Sequence, residues 1–326
     1  MELGNGFDIK NSRILLIGGA GLVGSHLAEE LLKEDVREVI IFDNFVRGRM
    51  VNLSKVSSDK RVKIIKADIL DEKILNEANG DIDFVFHLAA LWLLHCQEKP
   101  REGFEVNARG TLNVLEAAKN NKIKKLIFSS SASVYGDPTV IPMAEEHPFN
   151  NRTMYGATKI AGEQFFRFYY SRYGLDYLAL RYFNIYGPRQ DYRGAYVSVI
   201  MKALDRIKEG QPPIIHGDGS QAYDFIHVRD VAKANITALR SPTSDEVINI
   251  ASGIKTSIKD IINLILDLTD SDLRPQYQGQ KPKFVSERQA SVKKAEELLG
   301  FRARIDLRNG LKELIEWRIN QNDWKE

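Results

Sequence analysis

A glycine-rich turn separates an apolar run from an amphipathic segment near the start of the chain. The sequence RILLIG at 13–18 has the composition of a buried strand, and LVGSHLAEELLKE at 22–34 has the period of a helix. Gly18, Gly21 and Gly24 fall between them. Glycines at such a turn let the backbone approach a pyrophosphate, which then lies on the N-terminus of the helix. The turn therefore predicts a dinucleotide-binding fold.

An acidic residue at the end of the next expected strand indicates which dinucleotide binds. The strand EVIIFD at 38–43 ends in Asp43, nineteen residues beyond Gly24. A carboxylate there accepts hydrogen bonds from the adenosine ribose and repels a 2′-phosphate, which favours NAD over NADP. Arg47 and Arg49 follow closely and leave NADP open. The other interpretation, a turn that merely tolerates glycine, is disfavoured by the position of Asp43.

Apolar strands and helical segments continue to alternate as far as residue 182. Further strands are expected at 62–68, 83–90, 124–130 and 175–182, and helices at 71–78, 100–121 and 155–173. Strands made almost entirely of Val, Ile, Leu and Phe predict a parallel sheet covered on both faces. Right-handed crossovers then give an α/β fold of the Rossmann type, with a doubly wound parallel sheet.

Glycine and proline interrupt this alternation after Tyr182. Helices are expected near 195–209, 230–240, 257–268 and 307–319, and one more sheet strand at 246–252. We expect residues 1–182 to form an NAD-binding Rossmann domain, to which the chain returns near 225–255. Residues 183–326 would form mainly a smaller C-terminal α/β domain that binds the substrate.

The composition excludes several classes of protein. The chain of 326 residues is 43% hydrophobic and 28% charged, which is ordinary for a globular protein. The net charge is +2 without a basic block, so no nucleic-acid partner is expected. The longest apolar runs are shorter than the roughly 20 residues that span a membrane. A single cysteine, Cys96, fits a reducing compartment, and we expect a cytoplasmic location.

Motifs distributed over nearly the whole chain resemble those of the extended short-chain dehydrogenase/reductase family. In order they are GGAGLVG (18–24), DNFVRG (43–48), ADI (67–69), HLAA (87–90), SSSASVYG (129–136), YGATK (155–159), LRYFNIYGPRQ (180–190) and HGDGSQAYDFIHVRDVA (216–232). They resemble the nucleotide-sugar epimerase and dehydratase branch, similar to UDP-galactose 4-epimerase. The cofactor-binding residues that this resemblance implies are Gly18, Gly21, Leu22, Val23, Asp43, Asn44, Asp68, Ile69, Leu88, Ala89, Ala90, Asn107, Ser129, Tyr155, Lys159, Tyr182 and Phe183.

Three residues are the candidates for catalysis. Tyr155 and Lys159 lie four residues apart on an expected helix, so they share one face. A free tyrosine has a pKa of about 10, and a nearby ammonium favours the phenolate that would take a proton from a sugar hydroxyl. Ser131, at the end of a strand, would bind the reacting oxygen and relay the proton. A Tyr–Lys pair alone is common by chance, and three serines alone favour a loop; the combination favours catalysis. Tyr135 packs or lines the pocket.

The residues after Ser131 discriminate between reactions. By resemblance, dehydratases and most decarboxylases of the family carry a carboxylate where this chain has Ala132 and Ser133. A 4-epimerase needs none, because it removes hydride from C4 and returns it to the other face of the 4-keto sugar. The sequence therefore favours 4-epimerisation, most simply of a UDP-hexose, with NAD tightly bound and regenerated each cycle. A reductase, dehydratase or decarboxylase stays an alternative, as does a non-catalytic NAD-sensing regulator, which would commonly lack the Tyr–Lys pair.

The expected substrate contacts depart from the family pattern. The candidates are Ser131, Tyr155, Asn184, Arg193, Tyr223 and Arg288. Tyr223 stands where many relatives have an arginine, and Lys281 and Phe284 replace an arginine and an aspartate. Arg193, Lys281, Lys283 and Arg288 therefore stay open as donors to the diphosphate, and the sugar and the nucleotide base are undetermined.

The segment LWLLHCQEKP at 91–100 is bulkier and more apolar than in many relatives. It contains Trp92, His95 and Cys96. A packing or pocket-lining role is favoured for His95 over catalysis, and a His–Cys pair without further ligands predicts no metal site. By resemblance, helices 100–121 and 155–173 would pair across a homodimer as a four-helix bundle.

Overall fold

The central sheet of the protein, seen in a computed structural model that describes residues 6–192, 198–279 and 287–321, has seven parallel strands. Their order is Glu246–Ile250 (β10), Tyr177–Tyr182 (β6), Lys125–Ser131 (β5), Phe84–His87 (β4), Arg13–Ile17 (β1), Glu38–Asp43 (β2) and Val62–Lys66 (β3). The chain runs outward from β1 in one direction and then crosses to β4, which is the doubly wound topology. The predicted α/β Rossmann fold is confirmed.

Helices cover both faces of this sheet. On one face lie Leu22–Leu32 (α1), Val228–Arg240 (α8) and Lys293–Leu299 (α10); on the other lie Glu72–Ala78 (α2), Gly110–Asn120 (α5) and Met154–Tyr173 (α6). Successive strand residues point to opposite faces, so Ile14 and Leu16 pack with α1 while Leu15 and Ile17 pack under α5. Both faces are apolar, which explains why the strands are continuous apolar runs.

The rest of the chain forms two small sheets and a separate helical core. The sheets contain Asn184–Tyr186 (β7), Ala222–His227 (β9) and Lys255–Ser257 (β11), and Ile214–His216 (β8) and Gln276–Gln278 (β12). Val199–Lys208 (α7), Ile258–Leu268 (α9) and Leu307–Ile319 (α11) share a third apolar cluster. β10 returns to the central sheet and pairs with β6, Glu246 opposite Leu178. The domain boundary at 182 stays a prediction.

One expected helix has a different form. The segment 100–121 consists of Pro100–Phe104 (α4), a π-helical turn at Glu105–Arg109 and α5. Leu93–Glu98 (α3) precedes it, within the bulky apolar segment 91–100. π-Helical turns occur often at functional sites, and this one carries Asn107. Among the described residues, no helix combines the length and apolarity needed to cross a membrane.

Candidate functional site

The carboxyl ends of β1, β2 and β4 enclose a cleft at the N-terminus of α1. Gly18 adopts φ +84°, and a Cβ there would lie 2.7 Å from the backbone nitrogen of Ala89. A Cβ at Gly24 would lie 2.5 Å from the carbonyl oxygen of Gly18. At Gly21 a Cβ would meet only that oxygen, at 3.4 Å, so it would project into the cleft. These glycines leave the backbone N–H groups of α1 open to a pyrophosphate.

Asp43 lies at the wall of this cleft, at the end of β2. Its Oδ2 accepts a hydrogen bond from the backbone N–H of Ala20 (2.9 Å), and its Oδ1 accepts one from Phe45 (2.8 Å). Burial raises the pKa of the Asp43 carboxyl, and the two backbone donors oppose that shift. Beside it, the Asn44 amide donates to Asp68 Oδ2 at 2.7 Å. The carboxylate is therefore held by the backbone at the place where an adenosine ribose is expected.

Asn107 binds the backbone of the loop that follows β4. Its Oδ1 accepts from the N–H of Leu91 (2.7 Å), while its Nδ2 donates to the Leu91 carbonyl (3.0 Å) and to Thr158 Oγ1 (3.3 Å). The π-helical turn directs this side chain toward the loop. Leu88, Ala89 and Ala90 of the same loop line the cleft. In the structure, Asn107 thus fixes the cleft wall through the backbone.

The structure brings the three catalytic candidates together. Tyr155 lies in the first turn of α6, where the Thr153 hydroxyl caps the helix by accepting from the N–H of Gly156 (3.1 Å). Ser131, the last residue of β5, lies close enough for its side chain to interact with the Tyr155 phenol. Lys159 Nζ donates to the carbonyl of Ser129 at 2.6 Å and lies 5.7 Å from the centre of the Tyr155 ring. A phenol, a hydroxyl and an amine therefore converge at the end of β5.

Burial dominates the acid–base properties of this cluster. It raises the pKa of the Tyr155 phenol to about 12, which the hydrogen bond from Ser131 partly opposes. Burial also lowers the pKa of Lys159 to about 8. That Lys159 favours the phenolate stays a prediction; in the structure its amine donates to the carbonyl of Ser129. The positive nicotinamide ring of bound NAD⁺ would favour the phenolate.

The remaining cofactor candidates lie around this cluster and the cleft. Leu22 begins α1, Val23 packs into the core on its face of the sheet, and Ile69 is buried against Gly110. The Tyr182 hydroxyl donates to Asn235 Oδ1 at 2.8 Å, and Phe183 is buried beside Tyr135. Tyr135 itself packs, because its hydroxyl bonds Asn249 Oδ1 at 2.6 Å.

Two of the substrate candidates, Asn184 and Tyr223, line a second cavity of about 430 Å³. Asn184 Nδ2 donates to the carbonyl of Asp224 at 3.2 Å, and Tyr223 lines the same cavity. Arg288 lies close enough for its guanidinium to interact with the Tyr223 phenol; burial lowers its pKa. Its buried Nε has no hydrogen-bond partner within the described part of the chain. Arg193, Lys281, Lys283 and Phe284 lie outside the described residues.

A buried network beneath the cluster was not identified from the sequence. Arg181 donates two hydrogen bonds to Glu163, at 2.7 and 2.8 Å, and Ser130 Oγ donates to the same carboxylate at 2.5 Å. Ser130 precedes Ser131, and Glu163 lies one turn beyond Lys159 on α6. The network therefore joins the strand and the helix that carry the catalytic candidates. The spacing of Tyr155, Lys159 and Glu163, four residues apart, was the available signal.

The aromatic segment after β4 packs at the cleft. His95 Nε2 lies 2.8 Å from Glu102 Oε2, and its ring contacts that of Trp92, with centroids 4.9 Å apart. Cys96 is buried, and its sulfur accepts from Asn107 Nδ2 at 3.4 Å. Among the described residues, no three His, Cys, Asp or Glu side chains form a metal-binding group. His95 is therefore placed in packing contacts.

A glycine-rich cleft beside a Ser–Tyr–Lys cluster on a doubly wound sheet defines a dinucleotide-dependent enzyme of the Rossmann class. Residues 14–251 match the model of the NAD dependent epimerase/dehydratase family, and the chain belongs to that family. The expected resemblance and NAD as the cofactor are thereby confirmed. The activity lies within the nucleotide-sugar epimerases, dehydratases and decarboxylases.

Individual relatives share the whole length of the chain but differ in their reactions. A UDP-N-acetyl-alpha-D-glucosaminuronate decarboxylase of Bacillus cytotoxicus is 36% identical over 95% of this chain and 99% of its own. A UDP-glucose 4-epimerase of Mycolicibacterium smegmatis is 30% identical over 95% of this chain and 99% of its own. The crystal structure of a UDP-N-acetylglucosamine 4-epimerase from Methanobrevibacter ruminantium M1, in complex with UDP-N-acetylmuramic acid, superposes with a TM-score of 0.91. It is 36% identical, and the match covers 96% of this chain and 99% of that one.

Proposed function

We propose that this protein is an NAD-dependent nucleotide-sugar 4-epimerase whose substrate is a UDP-hexose. One observation carries the proposal: Ser131 is followed by buried Ala132 and Ser133, so neither of these two positions supplies a carboxylate. Loss of water from a second carbon needs a further acid and base, whereas 4-epimerisation needs only one proton-transfer group at C4. The 4-epimerase names among the relatives support the same reaction, and the uridine nucleotide is taken from them.

In this mechanism each residue acts on the C4 oxygen of the sugar. Tyr155 accepts the proton of the C4 hydroxyl, and Ser131, whose side chain lies beside the phenol, hydrogen-bonds the same oxygen and relays the proton. NAD held in the cleft lined by Gly18, Gly21 and Asp43 would supply the hydride acceptor and donor for C4, and it would be regenerated in each cycle. Lys159 stays anchored on Ser129 and maintains a positive charge near the phenol.

Arg288 is the residue that we propose for the diphosphate. A buried guanidinium with an unpaired Nε is costly unless a ligand supplies an acceptor. Arginine binds phosphate oxygens through two parallel hydrogen bonds, which matches a diphosphate. Asn184 and Tyr223 line the cavity next to it and offer neutral donors. One described arginine would thus supply the positive charge at this end of the substrate.

The decisive experiment compares reactions on the same substrates. The NAD-loaded protein is incubated separately with UDP-glucose, UDP-N-acetylglucosamine and UDP-glucuronate, and products are followed by NMR. We expect a 4-epimer from at least one of them, with no net change in NADH absorbance. Stoichiometric NADH consumption would identify a reductase, and loss of carbon dioxide or water would identify a decarboxylase or dehydratase. Absence of turnover of every nucleotide sugar offered, by protein with NAD bound, would refute the proposal.

We also propose a homodimer through α4, α5 and α6. Phe104, Leu112 and Phe168 are 50%, 38% and 55% exposed on these helices, which is an apolar surface for a helical interface. Light scattering should give twice the chain mass at micromolar concentration, and Phe104→Glu with Phe168→Glu should give the monomer. A monomeric mass for the unmodified protein would refute the dimer.

A further inference from the structure

Arg47 lies where three separate segments meet at the cofactor cleft. It follows Asp43 in the loop after β2, and its guanidinium carbon lies 4.4 Å from the centre of the Trp92 ring, in the loop after β4. Its Nε lies 3.2 Å from Asp191 Oδ2, in the segment after β7. The first two segments belong to the cofactor-binding part, and the third belongs to the remainder of the chain.

The cavity that holds the glycines is also bounded by this arginine and this indole. Gly18, Gly21 and Asp43 line it together with Arg47 and Trp92. A dinucleotide that binds along the glycines therefore passes the Arg47–Trp92 contact. The cation also favours an anionic ligand at this position.

Trp92 is held in place from its other side. Its ring contacts the ring of His95, and Asn107 fixes the adjacent backbone at Leu91 through two hydrogen bonds. Arg47 and Asp191, by contrast, have side chains that are 40% and 39% exposed. An exposed ion pair is weak and breaks readily. The Trp92 ring is therefore held in place, whereas the Arg47 side chain can move away from it.

We propose that Arg47, Trp92 and Asp191 form a clasp that closes over bound NAD and slows its release. Trp92 is the fixed half, and Arg47, steadied by Asp191, is the half that opens. A guanidinium stacked on an indole face resists opening more than an exposed ion pair does. This role accounts for the bulky residue at position 92 and concerns NAD binding alone, so it is independent of which sugar reaction the protein catalyses.

The test measures cofactor release instead of turnover. The protein is loaded with NADH, and loss of the bound cofactor's fluorescence is followed after dilution into excess NAD⁺. We expect Arg47→Ala and Trp92→Leu each to speed release about tenfold, and Asp191→Asn about twofold. The double variant Arg47→Ala/Trp92→Leu should release NADH no faster than either single variant, because both remove the same contact.

Arg49→Ala is the matched control. Arg49 carries the same charge two residues away, but its guanidinium lies 6.0 Å from the centre of the Tyr192 ring. The Arg49→Ala variant should release NADH at a rate within about twofold of that of the unmodified protein. The clasp would be overturned if Arg47→Ala released NADH at the rate of the unmodified protein, or if Arg49→Ala sped release as much as Arg47→Ala. It would also be overturned if the increases in release rate of the two single variants multiplied in the double variant. Unchanged melting temperatures of the cofactor-free variants exclude misfolding as the cause.

Discussion

Two buried aspartates organise the two parts of the molecule in different ways. Asp43, in the cofactor-binding part, accepts from Ala20 and Phe45, which are 23 and 2 residues away in the chain. Asp224, in the part that we propose binds the substrate, accepts from the N–H groups of Ser252 (2.8 Å), Gly253 (2.9 Å) and Ala290 (3.3 Å), up to 66 residues away. Burial raises the pKa of both carboxyls.

The difference lies in how far each carboxylate reaches along the sequence. The cofactor cleft is assembled from strand–turn–helix units, and the backbone contacts of Asp43 stay within 23 residues of it along the chain. The substrate cavity depends on distant segments that Asp224 ties together, including the one that carries Arg288. We therefore expect substitutions in one part to affect NAD and substitutions in the other to affect the sugar nucleotide, with Tyr155 at the junction affecting turnover alone.

The largest expected effect is that of Tyr155→Phe. Removing the phenolic hydroxyl should lower turnover by about 10² to 10⁴, the range for loss of a general base. NAD and the sugar nucleotide should still bind, because the ring and Lys159 remain. Activity by NMR and NAD content by absorbance measure the two effects.

Tyr135→Phe is the matched control for that change. Its hydroxyl bonds Asn249 and accepts from Arg181, and neither contact involves Ser131, Tyr155 or Lys159. It should lower the free energy of unfolding by about 1–3 kcal/mol and leave turnover nearly unchanged. If Tyr155→Phe retained full turnover, the phenol would not be the base.

The cofactor-binding part is tested by Asp43→Asn. The amide NH₂ would face one of the two backbone N–H groups that the carboxylate now accepts from. The dissociation constant for NAD should rise about 10- to 100-fold, as for loss of hydrogen bonds to a charged group. Discrimination against NADP should shrink, because the negative charge is lost. Titration with NAD and with NADP measures both affinities. The KM for the sugar nucleotide, measured at saturating NAD, should be unchanged if the two parts bind their ligands separately.

The substrate-binding part is tested by Arg288→Lys. The lysine keeps the charge but loses the paired donors of the guanidinium. The KM for the sugar nucleotide should rise about tenfold, with NAD affinity unchanged. An unchanged KM would remove Arg288 from the diphosphate site, and a loss of NAD binding would show that the two parts are not separable.

The same contrast explains how much of the molecule the sequence predicts. The seven sheet strands are continuous apolar runs, and the Ser131, Tyr155 and Lys159 cluster follows from spacing. Strands of three residues, such as β7 and β11, show no period, and both pair with β9, which is distant in the sequence. The π-helical turn, and with it the contacts of Asn107, depends on the loop after β4. Arg47 meets Trp92 and Asp191 only after folding.

The smallest expected effect is a pH dependence shared by both parts. Burial lowers the pKa of His87, in the central sheet, to about 3, and that of His227, in β9, to about 4. In the unfolded chain both titrate near 6.5, so below that pH the unfolded state binds more protons. Stability should therefore fall as pH drops from about 6.5 toward 4, by about 1 kcal/mol for each histidine at pH 5.5.

Urea unfolding at pH 7 and pH 5.5 distinguishes one cooperative molecule from two separable parts. If β10, which pairs with β6, joins the parts into one unit, a single transition should lose the contribution of both histidines. His87→Gln would then reduce the pH dependence of that transition by about a third, because His26 in α1, whose pKa burial also lowers to about 3, contributes as well. Two transitions, with His87→Gln altering only one, would show that the parts unfold independently. The two parts would then be independent in their stability as well as in the ligands that they bind.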